Sequence, residues 1–216
     1  MIAGEPPRPL LRGRLHAAAC AVVLVAGPLL AARGPDAGAQ AALAVYAASL
    51  VLLFGVSAAF HRLEWSAAGR RRMRRADHAA IFVGIAGTYT AVAALALHGA
   101  ARVLLLALVW AGAGAGIALR QLWLDAPAWA VAAPYLAVGW CALAVVPQLW
   151  RGLGPGGFAL VLAGGLADTA GAAVYARHRP DPLPSVFGYH EVFHACTVVG
   201  AVLDFLAIAL YALPRS

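Results

Sequence analysis

Residues 41–61 read AALAVYAASLVLLFGVSAAFH, and this stretch contains no acidic residue, no lysine and no arginine. About 20 helical residues, at 1.5 Å each, span the roughly 30 Å hydrocarbon core of a bilayer. The stretch is therefore typical of a transmembrane helix. It also ends in a serine and a histidine, two residue types that a purely lipid-facing helix does not need.

Six further apolar stretches of similar length flank this one. They cover approximately 15–32, 78–97, 101–119, 128–148, 156–176 and 190–212. The breaks between them are rich in Arg, Gly and Pro, which is typical of loops. We therefore predict an all-α integral membrane protein with a tail at 1–14, seven transmembrane helices within 15–212 and a short tail at 213–216. The break at 98–102 is the weakest, so the third and fourth spans should form a tight hairpin.

The composition excludes several other classes of protein. Of the 216 residues, 63% are hydrophobic and only 12% are charged, too few to cover a soluble domain with a charged surface. A secreted disulfide scaffold and a disordered chain are excluded on the same grounds. The net charge is +7 and comes entirely from arginine, but long charge-free runs separate the arginines, which excludes a nucleic-acid binder. Cys20, Cys141 and Cys196 lie within apolar runs and predict no disulfide.

The arginines also predict an orientation, because cytoplasmic loops carry the excess of basic residues. With seven spans, twelve of the sixteen arginines fall on one side: Arg8, Arg12, Arg14, Arg62, Arg70, Arg71, Arg72, Arg74, Arg75, Arg120, Arg177 and Arg179. The other side holds Arg33, Arg102, Arg151 and Arg215. We therefore expect a cytoplasmic amino terminus, an outer carboxyl terminus and a bacterial inner-membrane location, with the Arg70–Arg75 loop contacting anionic lipid headgroups. A signal peptide is the alternative for the first span, but its removal would spoil this charge pattern.

Polar and ionisable residues at membrane depth are candidate functional residues, because burying them in lipid is costly. The predicted orientation brings five of them to the same cytoplasmic edge: Ser57, His61, Asp77, His190 and His194. They come from three helices that are far apart in sequence. The sequence therefore predicts one polar site at this edge.

Histidine spacing indicates a metal centre within that site. His190 and His194 are four residues apart, so their imidazoles share one helical face, and His61 supplies a third donor from another helix. Three neutral imidazoles with an open fourth position are typical of catalytic zinc. Asp77 would then hydrogen-bond a water on the metal. The alternative is that each histidine is an ordinary hydrogen-bonded interfacial residue.

Four other histidines are predicted to lie outside the metal centre. His78 opens the third span next to Asp77 but points about 100° away from it on a helix. His16, His98 and His178 are predicted to be solvated.

The string His190-Glu191-Val192-Phe193-His194 also matches the H-E-x-x-H pattern, in which the glutamate is the general base of a zinc protease. The longer form of that pattern needs glycine and histidine where this chain has Thr197 and Gly200. An intramembrane metalloprotease, with Glu191 as its base, is therefore kept as an alternative.

Three motifs in order resemble a known family. Ser57-Ala58-Ala59-Phe60-His61 resembles its S-x-x-x-H motif, residues 77–82 with 85–90 resemble its third-span signature, and residues 187–194 resemble its H-x-x-x-H span. Together they resemble the bacterial hemolysin III branch of the progestin and adipoQ receptor (PAQR) superfamily over nearly the whole chain.

The resemblance implies a seven-helix fold with a cytoplasmic amino terminus. It implies zinc held by His61, His190 and His194, with Asp77 and Ser57 beside the metal-bound water. It further implies a distant relation to alkaline ceramidases, and so a zinc-dependent hydrolase of a lipid amide or ester near the cytoplasmic leaflet. A membrane sensor or receptor with structural zinc and a hemolytic pore-former are the alternatives. The sequence does not show whether the protein has protein partners.

Two acidic residues depart from the pattern of this family. Asp168 stands where the sixth span usually carries an aromatic residue, and Asp204 stands where the seventh usually carries a histidine. We expect both side chains to face the interior of the bundle, and to share a proton or a hydrogen-bond network.

Overall fold

The computed structural model describes residues 9–213, which form a bundle of α-helices without a strand in this range. The helices are α1 Arg14–Ala31, α2 Ala37–Arg62, α3 Ala67–Ala96, α4 Gly99–Leu122, α5 Ala128–Gly139, α6 Val146–Arg177 and α7 Tyr189–Ala207. A 3₁₀ segment, Trp140–Val145, joins α5 to α6, and a π-helical turn, Ile208–Ala212, extends α7. Arg8 and Arg215, with most of the two predicted tails, lie outside the described residues.

Six helical runs within the described range are long and apolar enough to cross a membrane, when the continuous run 128–177 is counted once. The prediction of an all-α, multi-pass membrane protein is therefore confirmed. The predicted hairpin at 98–102 is also found, since only Leu97 and His98 separate α3 from α4. Gly99 begins α4 with a φ of 55°, a left-handed conformation that favours glycine.

The bundle has two distinct ends. We call the end at which α2 finishes and α7 begins the site end, because it holds His61 and His190. The opposite end, at which α3 finishes and α4 begins, is the far end. The run 128–177 starts at the site end, where Tyr135 donates a hydrogen bond to the carbonyl of His78 at 3.2 Å. It reaches the far end at Gly152, which packs so closely on Ala96 that an added Cβ would overlap the Ala96 carbonyl oxygen. Gly154 then interrupts the helix with φ 67° and ψ 177°.

After this interruption α6 returns to the site end alongside α7. Gly157 contacts Tyr211 near the far end, and Gly171 contacts Cys196 close to the site end. The two helices are therefore antiparallel, and the small residues of α6 let their backbones approach closely.

The principal hydrophobic core occupies the far end. Its fully buried members come from the end of α1, the start of α2, the end of α3 and the start of α4: Leu30, Leu43, Ala96, Leu97 and Leu105. Leu149 and Leu153 also belong to this cluster. They lie in the 128–177 run, just before its interruption at Gly154. The far end is therefore filled mainly with apolar side chains, whereas the site end borders a cavity.

One predicted boundary is wrong. The third span was placed at 78–97, but α3 begins at Ala67, so Arg70–Arg75 are helical residues rather than a loop. Hydropathy indicates where a helix enters lipid rather than where the helix begins. Arginine and alanine favour helical structure, so the helix can begin before it enters the lipid. Ser66 caps the helix, because its Oγ accepts the Gly69 N–H at 3.2 Å.

Candidate metal centre

Three imidazoles from two helices converge at the site end. His61 lies on the last turn of α2, and His190 and His194 lie on the first two turns of α7. One nitrogen from each ring falls within 4.8 Å of the other two, and Nε2 of His61 is 3.3 Å from Nε2 of His190. The structure thus brings together the three residues that spacing and predicted orientation selected.

The surroundings of these rings fit a single bound metal ion. His194 is 2% exposed, and its Nδ1 is buried without a hydrogen-bond partner among residues 9–213. A buried polar atom without a partner is rare and calls for an explanation, of which a ligand is one. Imidazole nitrogen is a common ligand of transition metals, so the three rings together could hold such an ion.

Asp77 and Ser57 lie beside the three rings but are not part of the nitrogen cluster. Oδ2 of Asp77 is 3.9 Å from Nε2 of His61, and the Asp77 carboxyl lies near the Ser57 hydroxyl. Both side chains are buried. A carboxyl and a hydroxyl are thus positioned to act on a small molecule held by the imidazoles, without having to bind the metal themselves.

His16 is a site residue that the sequence analysis missed. It was predicted to be solvated, yet it is only 2% exposed. Its ring stacks on that of His194, with centroids 3.8 Å apart and planes 14° apart, and its Nδ1 is 2.8 Å from Oγ of Ser57. The only signal in the sequence is its depth, because His16 opens the first span at the same edge, and depth does not show which way the side chain points.

The other histidines lie outside the cluster. His78 faces α4, where its Nδ1 accepts a hydrogen bond from the Arg120 guanidinium at 2.9 Å. His78 thus points away from the cluster, as predicted, although it does not open a helix. His98 and His178 are exposed, also as predicted.

Glu191 is engaged elsewhere, although it lies within the H-E-x-x-H string. One carboxylate oxygen accepts the Gly188 N–H at 2.9 Å, which caps α7, and the other accepts from the Arg12 guanidinium. The Glu191 side chain is 1% exposed, so its two carboxylate oxygens are shielded from solvent. This geometry does not support Glu191 as the general base of a protease.

A cavity of about 230 Å³ extends from the nitrogen cluster into the bundle. Every helix except α4 contributes to its described lining, which is mainly apolar. Asp204 lies ten residues beyond His194, about 15 Å along α7, and lines the inner part of the cavity together with Asp168. Both acids thus face the cavity as expected, but neither forms a hydrogen bond within residues 9–213, so the predicted network is not found there.

Some of the arginines at the start of α3 contact other side chains of the bundle. Arg74 pairs with Asp125 and holds the pKa of that carboxyl below its usual value, chiefly through their hydrogen bond. Arg70 lies 5.7 Å above the ring of Phe60. Arg71 and Arg72 are exposed. The exposed arginines of this turn are therefore the ones that can reach outside the bundle.

The sequence of this chain is similar to those of known proteins. The Haemolysin-III related family model matches residues 5–205. Hemolysin-3 of Bacillus cereus is 29% identical over 186 residues, which cover 86% of this chain and 82% of that protein. The Hemolysin-3 homolog of Bacillus subtilis strain 168 is 27% identical over 167 residues, covering 77% and 75%. The chain therefore belongs to the haemolysin-III-related family, within the PAQR superfamily.

Proposed function

We propose that this protein is a zinc-dependent hydrolase that cleaves a lipid amide or ester near the cytoplasmic leaflet of a bacterial inner membrane. The observation that carries the proposal is the convergence of three imidazoles, one buried and two half-buried, with a carboxyl and a hydroxyl at one end of an apolar cavity. Such a cavity suits an acyl chain, and the polar cluster suits the bond at the end of that chain.

Zinc is the metal that best suits this donor set. Two nitrogen ligands of a tetrahedral zinc ion, each about 2.0–2.1 Å from the metal, lie about 3.3 Å apart. His61 and His190 have their Nε2 atoms 3.3 Å apart. Magnesium and calcium prefer oxygen ligands, and three imidazoles leave one zinc position open, as catalytic sites do. When bound, zinc polarises a carbonyl and acidifies a water molecule.

The protein groups beside the cluster supply the remaining chemistry. The Asp77 carboxylate orients the attacking water and accepts a proton from it. The Ser57 hydroxyl donates a hydrogen bond to the oxygen on which negative charge develops. Because both side chains are buried, bulk water does not weaken these interactions.

Hydrolysis that depends on the metal is the direct test of this function. We expect purified protein to cleave at least one member of a panel of long-chain acyl amides and esters. Activity should disappear after removal of the metal with a chelator and should return when zinc, but not magnesium, is added. A protein that is fully loaded with zinc and cleaves none of these lipids would favour a sensor or receptor with structural zinc.

A pore-forming activity fits the structure less well. The name of the two relatives is hemolysin, but the far end of this bundle is filled by the principal hydrophobic core. A water-filled pore needs a continuous polar lining through the membrane, whereas the lining of the cavity beside the three imidazoles is mainly apolar.

Seven membrane crossings, with the amino terminus in the cytoplasm, are part of this proposal. The run 128–177 holds 50 residues, about 75 Å of helix, which is more than twice the thickness of the hydrocarbon core. Its interruption at Gly154 and its return alongside α7 support two crossings rather than one. The excess of arginine at the site end supports a cytoplasmic position for that end, where Arg71 and Arg72 contact anionic headgroups.

Thiol labelling tests this orientation. The variants His98→Cys and Arg179→Cys, in a background with Cys20, Cys141 and Cys196 replaced by alanine, place single thiols at exposed positions on opposite ends of the bundle. In spheroplasts, a membrane-impermeant maleimide should label position 98 at once and position 179 only after permeabilisation. Labelling of both positions before permeabilisation, or the reverse order, would contradict the proposed orientation.

A further inference from the structure

We infer that His16 is a positioning residue of the site, which holds the His194 ring and the Ser57 hydroxyl in place from α1. The inference rests on the proposed function. No spacing motif selects His16, which lies more than 40 residues before the nearest other member of the site.

The first contact is with a proposed metal ligand. The His16 ring lies nearly parallel to that of His194, 14° between planes and 3.8 Å between centroids. Rotation of the His194 ring about its χ2 axis would therefore drive it into His16. His194 Nδ1 has no hydrogen-bond partner among the described residues, so no such bond fixes that ring atom. Residues that orient metal ligands typically change metal affinity by about 10- to 100-fold when they are mutated.

The second contact is with the proposed hydrogen-bond donor. His16 Nδ1 is 2.8 Å from Ser57 Oγ, and the Asp77 carboxyl lies near the same hydroxyl. A hydroxyl has only one proton to donate. When Nδ1–H of His16 donates to the Ser57 oxygen, the Ser57 proton points away from His16 and stays available for the oxygen on which negative charge develops. His16 thus fixes the direction in which the Ser57 hydroxyl points.

The backbone around His16 holds it at this place. Arg12 pairs with Glu191 on α7, one turn before His16 along the chain. Leu10 and Leu11 donate backbone hydrogen bonds to the carbonyls of Ser185 and Val186, at 3.0 and 3.1 Å. The start of α1 is therefore attached to the segment that leads into α7. His16 itself lies outside the group of three nitrogens, so it acts through its neighbours rather than on the metal.

Two substitutions separate the two contacts. His16→Phe keeps a flat ring against His194 but cannot hydrogen-bond to Ser57. We expect its zinc affinity to stay within about threefold of the parent, whereas kcat falls by roughly tenfold or more at unchanged KM. His16→Asn places an amide nitrogen near the position of Nδ1 but removes the stacked ring. We expect its zinc affinity to fall by about 10- to 100-fold, with most of kcat retained once zinc is saturating.

The readouts are the zinc dissociation constant, from competition with a chromogenic chelator, and the kinetic constants of the zinc-saturated protein. His98→Phe is the matched control, because this histidine is exposed, and it should change neither. A purely structural role predicts that both His16 variants lower the thermal midpoint and leave zinc affinity and kcat unchanged, which overturns the inference. A parent that binds no zinc overturns the proposed function as well, so the two failures are distinguishable.

Discussion

Replacing His190 and His194 together by alanine is expected to abolish zinc binding to the purified protein. Parent protein should carry about one zinc ion per chain, and the double variant close to none. The physical reason is that the three nitrogens within 4.8 Å of one another are reduced to the single imidazole of His61. One neutral imidazole competes poorly with water and buffer for the ion. Elemental analysis of monodisperse protein in detergent measures the outcome directly.

The matched control is the double variant His98→Ala/His178→Ala. It removes the same number of imidazoles from exposed positions and should keep the full complement of zinc. Retention of zinc by His190→Ala/His194→Ala would contradict the assignment of the ligands. A metal-free parent, purified without chelators and then incubated with zinc, would contradict the metal centre altogether.

The sequence predicted the spans of the bundle well because lipid imposes a strong constraint. A helix that crosses a bilayer must be apolar along its full length, so hydropathy alone located the run at 41–61 and the break at 98–102. The start of α3 was missed because the part of a helix that extends beyond the bilayer does not have to be apolar. Arg70–Arg75 are helical for local reasons, including the cap at Ser66, which hydropathy does not detect.

The three histidines of the cluster were predictable because helical geometry and membrane depth act together. A spacing of four residues put His190 and His194 on one face, and the alternation of spans put His61 at the same depth. His16 was missed since depth alone does not say whether a side chain faces lipid, water or another helix. Packing of α1 against α2 and α7 decides that, and it buries His16 between Ser57 and His194.

The two ends of the bundle differ in packing and polarity. Large side chains such as Leu43, Leu105 and Leu149 fill the far end, whereas the site end retains a cavity lined by polar groups at its rim. Polar groups in a low-dielectric environment interact strongly but are costly to bury, so a well-packed region elsewhere must compensate for them. Asp168 and Asp204 extend this polar lining to the inner cavity, where no protein hydrogen bond within residues 9–213 compensates them.

Asp77→Asn is expected to abolish most of the hydrolysis while leaving zinc in place. The substitution preserves the size of the side chain beside Ser57, but an amide cannot accept the proton of the attacking water. Loss of a general base typically costs about 10²- to 10⁴-fold in rate, and we expect kcat to fall within that range. Because Asp77 lies beside the nitrogen cluster rather than within it, zinc content should stay at the parental value.

The control for this variant is Asp125→Asn, which removes a carboxylate from an exposed position paired with Arg74 and should leave both zinc content and kcat unchanged. Steady-state kinetics and elemental analysis must be made on the same preparations, because their combination separates the alternatives. Full zinc with undiminished turnover would show that Asp77 is not the base. Loss of zinc together with turnover would instead make Asp77 a ligand, and the open fourth position on which hydrolysis depends would then be occupied by the protein itself.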